Sequence, residues 1–216
     1  MAKKFFWCFD ISMEVNSVSF GAIPINKVKI KKFDKTAKRY ADYPATFVKL
    51  DSYNRDDINA VDTVSKKWKG AKYIQQISTA AHWIKEKPIE IYALTSQQGD
   101  FEKLQAKNIL GLAEIRLDEN PKNTLLHYLQ VRPSAKHVNQ EHKINYKYVG
   151  TAILKSLKSI YEDISLFADS DNNVIRFYKK NGFIDDFDGS KHFVWSISLL
   201  KRISLRIRKF RLETGI

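Results

Sequence analysis

The sequence predicts one α/β (α+β) domain built on a mixed, mostly antiparallel sheet flanked by helices. Three observations support this. Apolar residues make up 44% of the 216 residues, which is enough to fill a core. Segments with apolar residues three and four apart, typical of helices, are interspersed with short apolar strand patterns. Three predicted strands follow one another without a helix between them, which favours an antiparallel arrangement.

Residues 1–41 form a predicted strand-rich N-terminal extension. Phe5–Phe9 is a short apolar run, and Val28–Phe33 continues a strand in which apolar residues alternate with lysines. Asp10 ends the first run before it reaches the roughly 7–15 residues of a signal-peptide core. No segment approaches the ~20 apolar residues of a membrane span. Because Cys8 is the single cysteine, which excludes an internal disulfide, we expect a cytoplasmic protein.

The central region, residues 42–198, opens with a strand and two helices. Both helices place apolar residues at spacings of three and four, and Asn54 supplies a favoured N-cap to the first. Gly70 separates the two helices, and Pro88 ends the second. The predicted elements are a strand at Ala45–Leu50 and helices at Asp56–Lys69 and Ala71–Lys85.

Three strands come next, joined by links that contain turn-forming residues such as Gly99 and Pro121. The chain then alternates helix and strand, and Asn181-Gly182 is typical of a helix that ends in a left-handed residue. The predicted strands are Ile89–Ser96, Asn108–Leu117, Leu125–Arg132, Ile164–Ala168, Phe183–Phe187 and Phe193–Leu199, and the predicted helices are Lys147–Ile160 and Asn172–Lys180.

The turn into the helix at Lys147–Ile160 has the features of an anion site. Small residues at Gly150 and Ala152 let a ligand approach the backbone, and the first-turn N–H groups lack intrahelical partners. The helix dipole adds about half a positive charge there, and Lys147 adds a whole one. A pyrophosphate would fit this turn. The alternative is an ordinary helix start after a loop.

This turn resembles the coenzyme A signature of the GNAT acetyltransferase superfamily, Gln/Arg-x-x-Gly-x-Gly/Ala. The chain has Lys147-Tyr148-Val149-Gly150-Thr151-Ala152 after a strand that ends Leu129-Gln130-Val131-Arg132-Pro133. Lys147 departs from the family's usual first residue but keeps its charge. The family usually passes from strand to motif in a few residues, whereas Ser134–Tyr146 intervenes here.

The segment Asp171–Phe183 is similar to a second pattern of the family, Asn-x-x-Ala-x-x-x-Tyr-x-x-x-Gly-Phe. Tyr178, Gly182 and Phe183 match it. Asp171 takes the Asn position, with Asn172 and Asn173 beside it, and Val174 takes the Ala position. The resemblance covers residues 42–198 and leaves the extension 1–41 and a basic segment, 199–216, outside it.

The resemblance implies a GNAT-like fold and an acetyl-CoA-dependent N-acetyltransferase, with acetyl-CoA as the donor and an amine as the acceptor. It implies that backbone groups of the strand bind the pantetheine arm and that the turn binds the pyrophosphate. The coenzyme-binding residues that it predicts are Leu129, Gln130, Val131, Lys147, Tyr148, Val149, Gly150, Thr151, Ala152, Asn172 and Asn173.

Two side chains are candidates for proton transfer. Tyr178 is the candidate acid for the departing thiolate, because a phenol titrates near pH 10 and a thiol near pH 8.5. Packing in the core is its alternative role. Glu114 is the candidate base, because family members often use a carboxylate in this region. A solvated Glu114, with deprotonation through a water or by the substrate itself, is the alternative.

The insertion Ser134–Tyr146 holds His137 and His142. Because no Cys or carboxylate cluster accompanies them beyond Glu141, we predict a surface insertion that shapes the acceptor site rather than a metal site.

The charge balance favours an acidic partner: 37 Lys and Arg against 24 Asp and Glu give a formal charge of +13. Six of these cations lie in Lys201–Arg211, whose periodicity fits either a strand or a helix. That segment either contacts RNA or the ribosome, or is a solvated face. An acidic macromolecule, either a ribosome-associated protein or an aminoacyl-tRNA, is the favoured acceptor. The alternative is a non-catalytic GNAT-like protein that binds nucleic acid or a protein partner.

Overall fold

The described part of the chain comprises residues 21–84, 87–117, 124–133, 145–186 and 191–198, with residue 203, in a computed structural model. Phe5–Phe9, Cys8, the two histidines of the insertion and the six cations of Lys201–Arg211 lie outside the described residues, so the predictions for them stay open. No helix among the described residues is long and apolar enough to cross a bilayer.

Nine strands form one sheet, with four α-helices among the described residues. In chain order the elements are β1 (Ile23–Asp34), β2 (Arg39–Lys49), α1 (Arg55–Lys67), α2 (Ile74–Ala81), β3 (Ile89–Thr95), β4 (Ile109–Leu117), β5 (Thr124–Val131), β6 (Tyr146–Lys147), α3 (Val149–Leu157), β7 (Asp163–Phe167), α4 (Asn172–Lys180), β8 (Ile184–Asp185) and β9 (His192–Ser196).

The strand order across the sheet is β6-β1-β2-β3-β4-β5-β7-β9-β8. Every pairing of neighbouring strands is antiparallel except the parallel pairing of β5 with β7. The predicted fold class, a mixed and mostly antiparallel sheet flanked by helices, is therefore confirmed.

β1 and β2 form a long hairpin that extends past the rest of the sheet. They pair from Ile23↔Lys49 to Asp34↔Arg39, whereas β3 pairs only with residues 46–49 of β2. The turn is closed by Asp34, whose Oδ1 accepts from two backbone N–H groups. We call residues 27–46 the ribbon. The division of the chain at residue 41/42 stays a prediction, and β1 hydrogen-bonds to β2 within the one sheet.

Alternation along the strands divides the core between the two faces of the sheet. On β2, Phe47 joins the cluster packed under α3, whereas the next residue, Val48, joins the cluster packed under α1 and α2. On β3, Tyr92 joins the cluster under α3, and its neighbour Ile91 joins the cluster under α1 and α2. A Cβ on Gly111 of β4 would lie 2.7 Å from Ile153 Cδ1, so glycine there allows α3 to pack closely on the sheet.

The helix bounds differ from the predicted ones mainly at α2 and α3. α3 begins at Val149 because Tyr148 adopts a left-handed conformation (φ 67°), so Lys147 lies in β6 and not in the helix. α2 is shorter than predicted, ending at Ala81. The predicted cap is confirmed, since Asn54 accepts from the N–H of Asp56, and α4 has the predicted bounds.

Candidate active site

β5 and β7 separate along the sheet. Among the described residues they pair only at Thr124↔Ile164 and Leu125↔Ser165, after which β5 continues for six residues bonded to β4 on its other side. Residues 126–131 of β5 therefore have no strand partner on the β7 side among the described residues, which leaves a gap in the sheet there. Three predicted coenzyme-binding residues, Leu129, Gln130 and Val131, lie on this part of β5.

The start of α3 lies beside the carboxyl end of β5. The first turn has no side-chain cap, and its first recorded backbone bond runs from Ala152 N to Tyr148 O, at 2.8 Å. The N–H groups that precede Ala152 thus lack intrahelical acceptors. A Cβ on Gly150 would lie 3.6 Å from Val131 Cγ1 and 3.0 Å from Phe177 Cζ. Glycine at this position therefore allows a close approach of α3 to both β5 and α4.

Lys147 lies on β6, directly opposite Lys31 of β1. Its Nζ atom is 3.9 Å from the centroid of the Tyr40 ring, so a cation–π contact holds it on the ribbon. Its predicted role at the pyrophosphate stays a prediction.

Asn172 and Asn173 are exposed in the first turn of α4. Asp171 caps this helix by accepting from Asn173 N at 2.7 Å. Asn172 lines an open groove of about 490 Å³ together with Arg176, Lys179 and Lys180. The groove gives α4 a cationic outer surface, and the coenzyme role of the two asparagines stays a prediction.

Tyr178 lies on α4 among aromatic side chains. Its ring centroid is 5.2 Å from Phe177, 5.7 Å from Phe183 and 6.4 Å from Phe193. Burial, with a smaller contribution from Tyr73, raises the pKa of Tyr178 to about 12. The phenol is therefore protonated at neutral pH, as a general acid must be.

Tyr73, at the start of α2, connects three parts of the site. Its backbone N–H donates to Gln130 Oε1 at 3.1 Å, and its ring stacks on Tyr128 with centroids 5.0 Å apart. Its hydroxyl donates to Asp169 Oδ2 at 3.4 Å. Lys72 also binds Asp169, and this hydrogen bond holds the pKa of that carboxyl below its usual range. These contacts join α2 to β5 and to the loop after β7.

Sequence reasoning missed Tyr73, Asp169 and Tyr128. Tyr73 and Asp169 are 96 positions apart, and neither belongs to a motif. The one available signal was that Asp169 follows a predicted strand directly, where polar residues of a site often stand.

Glu114 on β4 is completely buried, so the alternative of a solvated side chain is wrong. Its Oε1 accepts from Arg116 Nε at 3.0 Å and lies 2.8 Å from Nδ1 of His127. Its Oε2 is buried with no hydrogen-bond partner among the described residues. His127 was not predicted: it stands at a bulge, because Glu114 pairs with Tyr128 while the next residue of β4 pairs with Leu126.

Among the described residues no group of three or more His, Cys, Asp or Glu side chains could hold a metal ion. The polar groups of the site are thus phenols, carboxylates, an imidazole and backbone N–H groups. Such groups can hold and move protons and can bind an anion.

No protein-family model matches the chain, and no curated protein does. Solved structures do match. AtaTR bound with acetyl-CoA is 16% identical, with a TM-score of 0.47 and coverage of 76% of this chain and 98% of that one. PaiA N-acetyltransferase from Thermoplasma acidophilum in complex with coenzyme A is 17% identical, with a TM-score of 0.41 and coverage of 69% and 96%. AtaT complexed with acetyl-methionyl-tRNAfMet is 12% identical, with a TM-score of 0.46 and coverage of 76% and 99%. The similarity to these structures is one of fold alone.

Proposed function

We propose that this protein is an acetyl-CoA-dependent N-acetyltransferase, which moves an acetyl group from coenzyme A to an amine. The observation that carries the proposal is the separation of β5 from β7 beside the uncapped start of α3. A gap between two strands can take an extended thioester arm, and the adjacent helix start can take its phosphates. The first motif that resembles the family forms this helix start, and the second includes α4, whose Phe177 packs against Gly150.

The backbone of β5 would bind the arm, because residues 126–131 have no β7 partner among the described residues. Leu129 and Val131 would present N–H and C=O groups to it, and a backbone N–H there could polarise the thioester carbonyl. The backbone groups of Gln130 face β4, on the side where Arg132 N donates to Leu110 O, so they are not available to the arm. The N–H groups of residues 148–151, which precede Ala152, would bind the pyrophosphate. Lys147, Asn172 and Asn173 would add polar contacts at the periphery.

The reaction needs two proton transfers. The amine nitrogen attacks the thioester carbon, the C–S bond breaks, and the thiolate leaves with the electron pair of that bond. Tyr178 would donate its hydroxyl hydrogen to the thiolate, and its raised pKa keeps that hydrogen in place beforehand. The proton that the amine loses must go to a base.

His127 is the group best placed to take that proton, with Glu114 behind it. Glu114 is buried, whereas the His127 side chain is 25% exposed. If Nδ1 carries the hydrogen toward Glu114, then Nε2 has a free lone pair. Glu114 would thus act through His127 rather than by touching the amine itself. A water between His127 and the amine is compatible with the same arrangement.

The acceptor that we propose is an amine on an acidic macromolecule, either an aminoacyl-tRNA or a ribosome-associated protein. The support for this is the formal charge of +13, which would repel a free polycation and attract a polyanion. A cytoplasmic location is part of the same proposal.

Titration calorimetry with acetyl-CoA tests the coenzyme site, and we expect binding in the micromolar range. Absence of binding at several hundred micromolar coenzyme would overturn the proposal. An acetyl-transfer assay with small amines, peptides and aminoacyl-tRNA then tests the reaction and the acceptor. Coenzyme binding without transfer to any acceptor would instead favour the non-catalytic alternative.

A further inference from the structure

The ribbon is the most cationic part of the described chain. Residues 27–46 carry seven Lys and Arg against two Asp, an excess of five charges, more than a third of the chain's +13. Lys27 and Lys29 are exposed, and neither forms an ion pair with another described residue. Lys31 is paired with Asp42 at 2.7 Å, and this contact holds the pKa of Asp42 below its usual range, with a smaller contribution from Lys29.

These lysines share one face of the ribbon. Side chains two apart on a strand point the same way, which places Lys27, Lys29 and Lys31 in a row. Lys147 is directly opposite Lys31, and directly opposite residues of an antiparallel pair lie on the same face. The other face is apolar, since Ile30 is buried under α3. The ribbon therefore separates a packed face from a cationic one.

The cationic face lies on the same side of the sheet as α1 and α2, which pack over the centre of the sheet. Lys27 pairs with Thr46, two residues before Val48 of the cluster packed under those helices. Among the described residues α2 packs on β3 and β4. On this face of the ribbon Lys27 and Lys29 are exposed, and so are Asp42 and Pro44 of β2.

Further cations stand where the row meets the ends of the other strands. The Thr46 hydroxyl donates to the carbonyl of Gln97, just beyond β3. The backbone of Ser96 bonds to Asn108, next to Lys107. Arg132, just beyond β5, donates to the carbonyl of Lys107 at 3.3 Å. These hydrogen bonds connect the Lys27 end of the row, through the adjoining ends of β3 and β4, to the carboxyl end of β5, where the candidate active site begins.

We propose that this face of the ribbon binds the phosphate backbone of single-stranded nucleic acid. Lysines at alternate strand positions repeat every ~6.6–6.8 Å, and such a regular row matches a polymer with one charge per nucleotide. The aromatic rings of Phe33 and Tyr40 lie at the end of the row, with centroids 5.2 Å apart and partly exposed. A cationic track with aromatic rings is the typical surface for unpaired nucleotides. This goes beyond the proposed function, because it needs neither coenzyme nor catalysis.

Fluorescence anisotropy with a labelled 20-nucleotide single strand, as RNA and as DNA of the same sequence, tests the proposal across 0.05–0.3 M salt. The test variant is Lys27→Gln/Lys29→Gln. The control is Lys66→Gln/Lys67→Gln, which removes the same charge from exposed positions on α1. Equal thermal unfolding midpoints would show that both variants fold.

We expect Lys27→Gln/Lys29→Gln to weaken binding about 25-fold at 0.1 M salt and to reduce the slope of log K against log salt by about 1.4, the value for two lost single-strand contacts. The control should lose less than about threefold. Binding that is selective for RNA supports the proposal, and so does equal binding of RNA and DNA, since either strand supplies the phosphates. Equal losses in the two variants, no binding of either strand, or equal binding of a polyglutamate peptide of the same charge would overturn it.

Discussion

The Nδ1 atom of His127 lies 2.8 Å from Oε1 of Glu114, at the bulge where β5 carries one residue more than β4. The carboxylate has no exposed surface, and its second oxygen is buried without a partner among the described residues. A buried carboxylate that contacts a partly exposed imidazole can fix the ring's tautomer and orientation. In the mechanism that we propose, Glu114 acts through His127 rather than by touching the substrate.

Substituting the two residues separately should distinguish their roles. We expect His127→Gln to lower kcat about 100-fold, the usual scale for a lost general base. Glu114→Gln keeps the shape and should lower kcat about tenfold with little change in KM for acetyl-CoA. Initial rates of acetyl transfer measure both. A His127→Gln variant with unchanged kcat would remove the imidazole from the mechanism.

Tyr178→Phe should lower kcat about 100-fold and leave coenzyme affinity nearly unchanged, because only the hydroxyl is lost. With the pKa of Tyr178 near 12, this phenol stays protonated up to pH 10, and its ionisation causes no decline of the wild-type rate below that pH. Initial rates of acetyl transfer measure the change in kcat, and titration calorimetry measures the affinity for acetyl-CoA. Full activity in the variant would leave Tyr178 with packing as its role.

Asp57 should make the protein less stable as the pH rises from 4 to 6. Burial raises the pKa of Asp57 to about 6, so in that interval the folded state holds a proton that the unfolded state has released. The free energy of unfolding therefore falls with pH, by about 3 kcal/mol in total for this group. Urea unfolding of wild type and Asp57→Asn measures this effect. The free energy of unfolding of the variant minus that of wild type should increase by that amount between pH 4 and 7.

Asp56→Asn is the matched control, since Asp56 stands on the same turn with its side chain 46% exposed. A stability difference between Asp57→Asn and wild type that does not vary with pH would contradict the assignment.

Tyr161→Phe should destabilise the fold by about 1–2 kcal/mol. The Tyr161 hydroxyl binds Glu90 and lies 2.8 Å from the Tyr92 hydroxyl. Burial raises the pKa of Glu90, but hydrogen bonds from Lys49, Tyr161 and Tyr92 outweigh it and hold the pKa below its usual range. The variant removes one of these donors from a half-buried carboxylate. Chemical unfolding measures the loss, and Tyr148→Phe, at a tyrosine that is 61% exposed, should be neutral.

Local patterns predicted most elements because they depend on nearby residues. α4 has the predicted bounds, since Asp171 caps it and Gly182 ends it with a φ of 80°. β4 and β5 lie within one residue of their predicted ends. α3 starts two residues late because Tyr148 takes a left-handed conformation, which is uncommon for a residue that is not glycine.

Apart from Glu114, the site residues named from the sequence lie in or beside the two motifs. Gly150 and Tyr178 belong to such motifs, whereas Tyr73 and His127 do not. Tyr73 reaches the site because α2 packs beside β5, and His127 reaches it because one extra residue bulges from a strand. Neither arrangement is marked by a local sequence pattern, since each depends on contacts between residues distant in the chain.

Composition gives the total charge but not which surfaces carry it. The sequence by itself determined the +13, the order of helices and strands, and the alternation of lysines in β1, because these follow from residue identity and local periodicity. Only the tertiary structure decided that Lys27 and Lys29 of the ribbon are exposed, and that Glu114 is buried against His127. Periodicity states which side chains share a face, whereas packing between distant elements decides which face is covered.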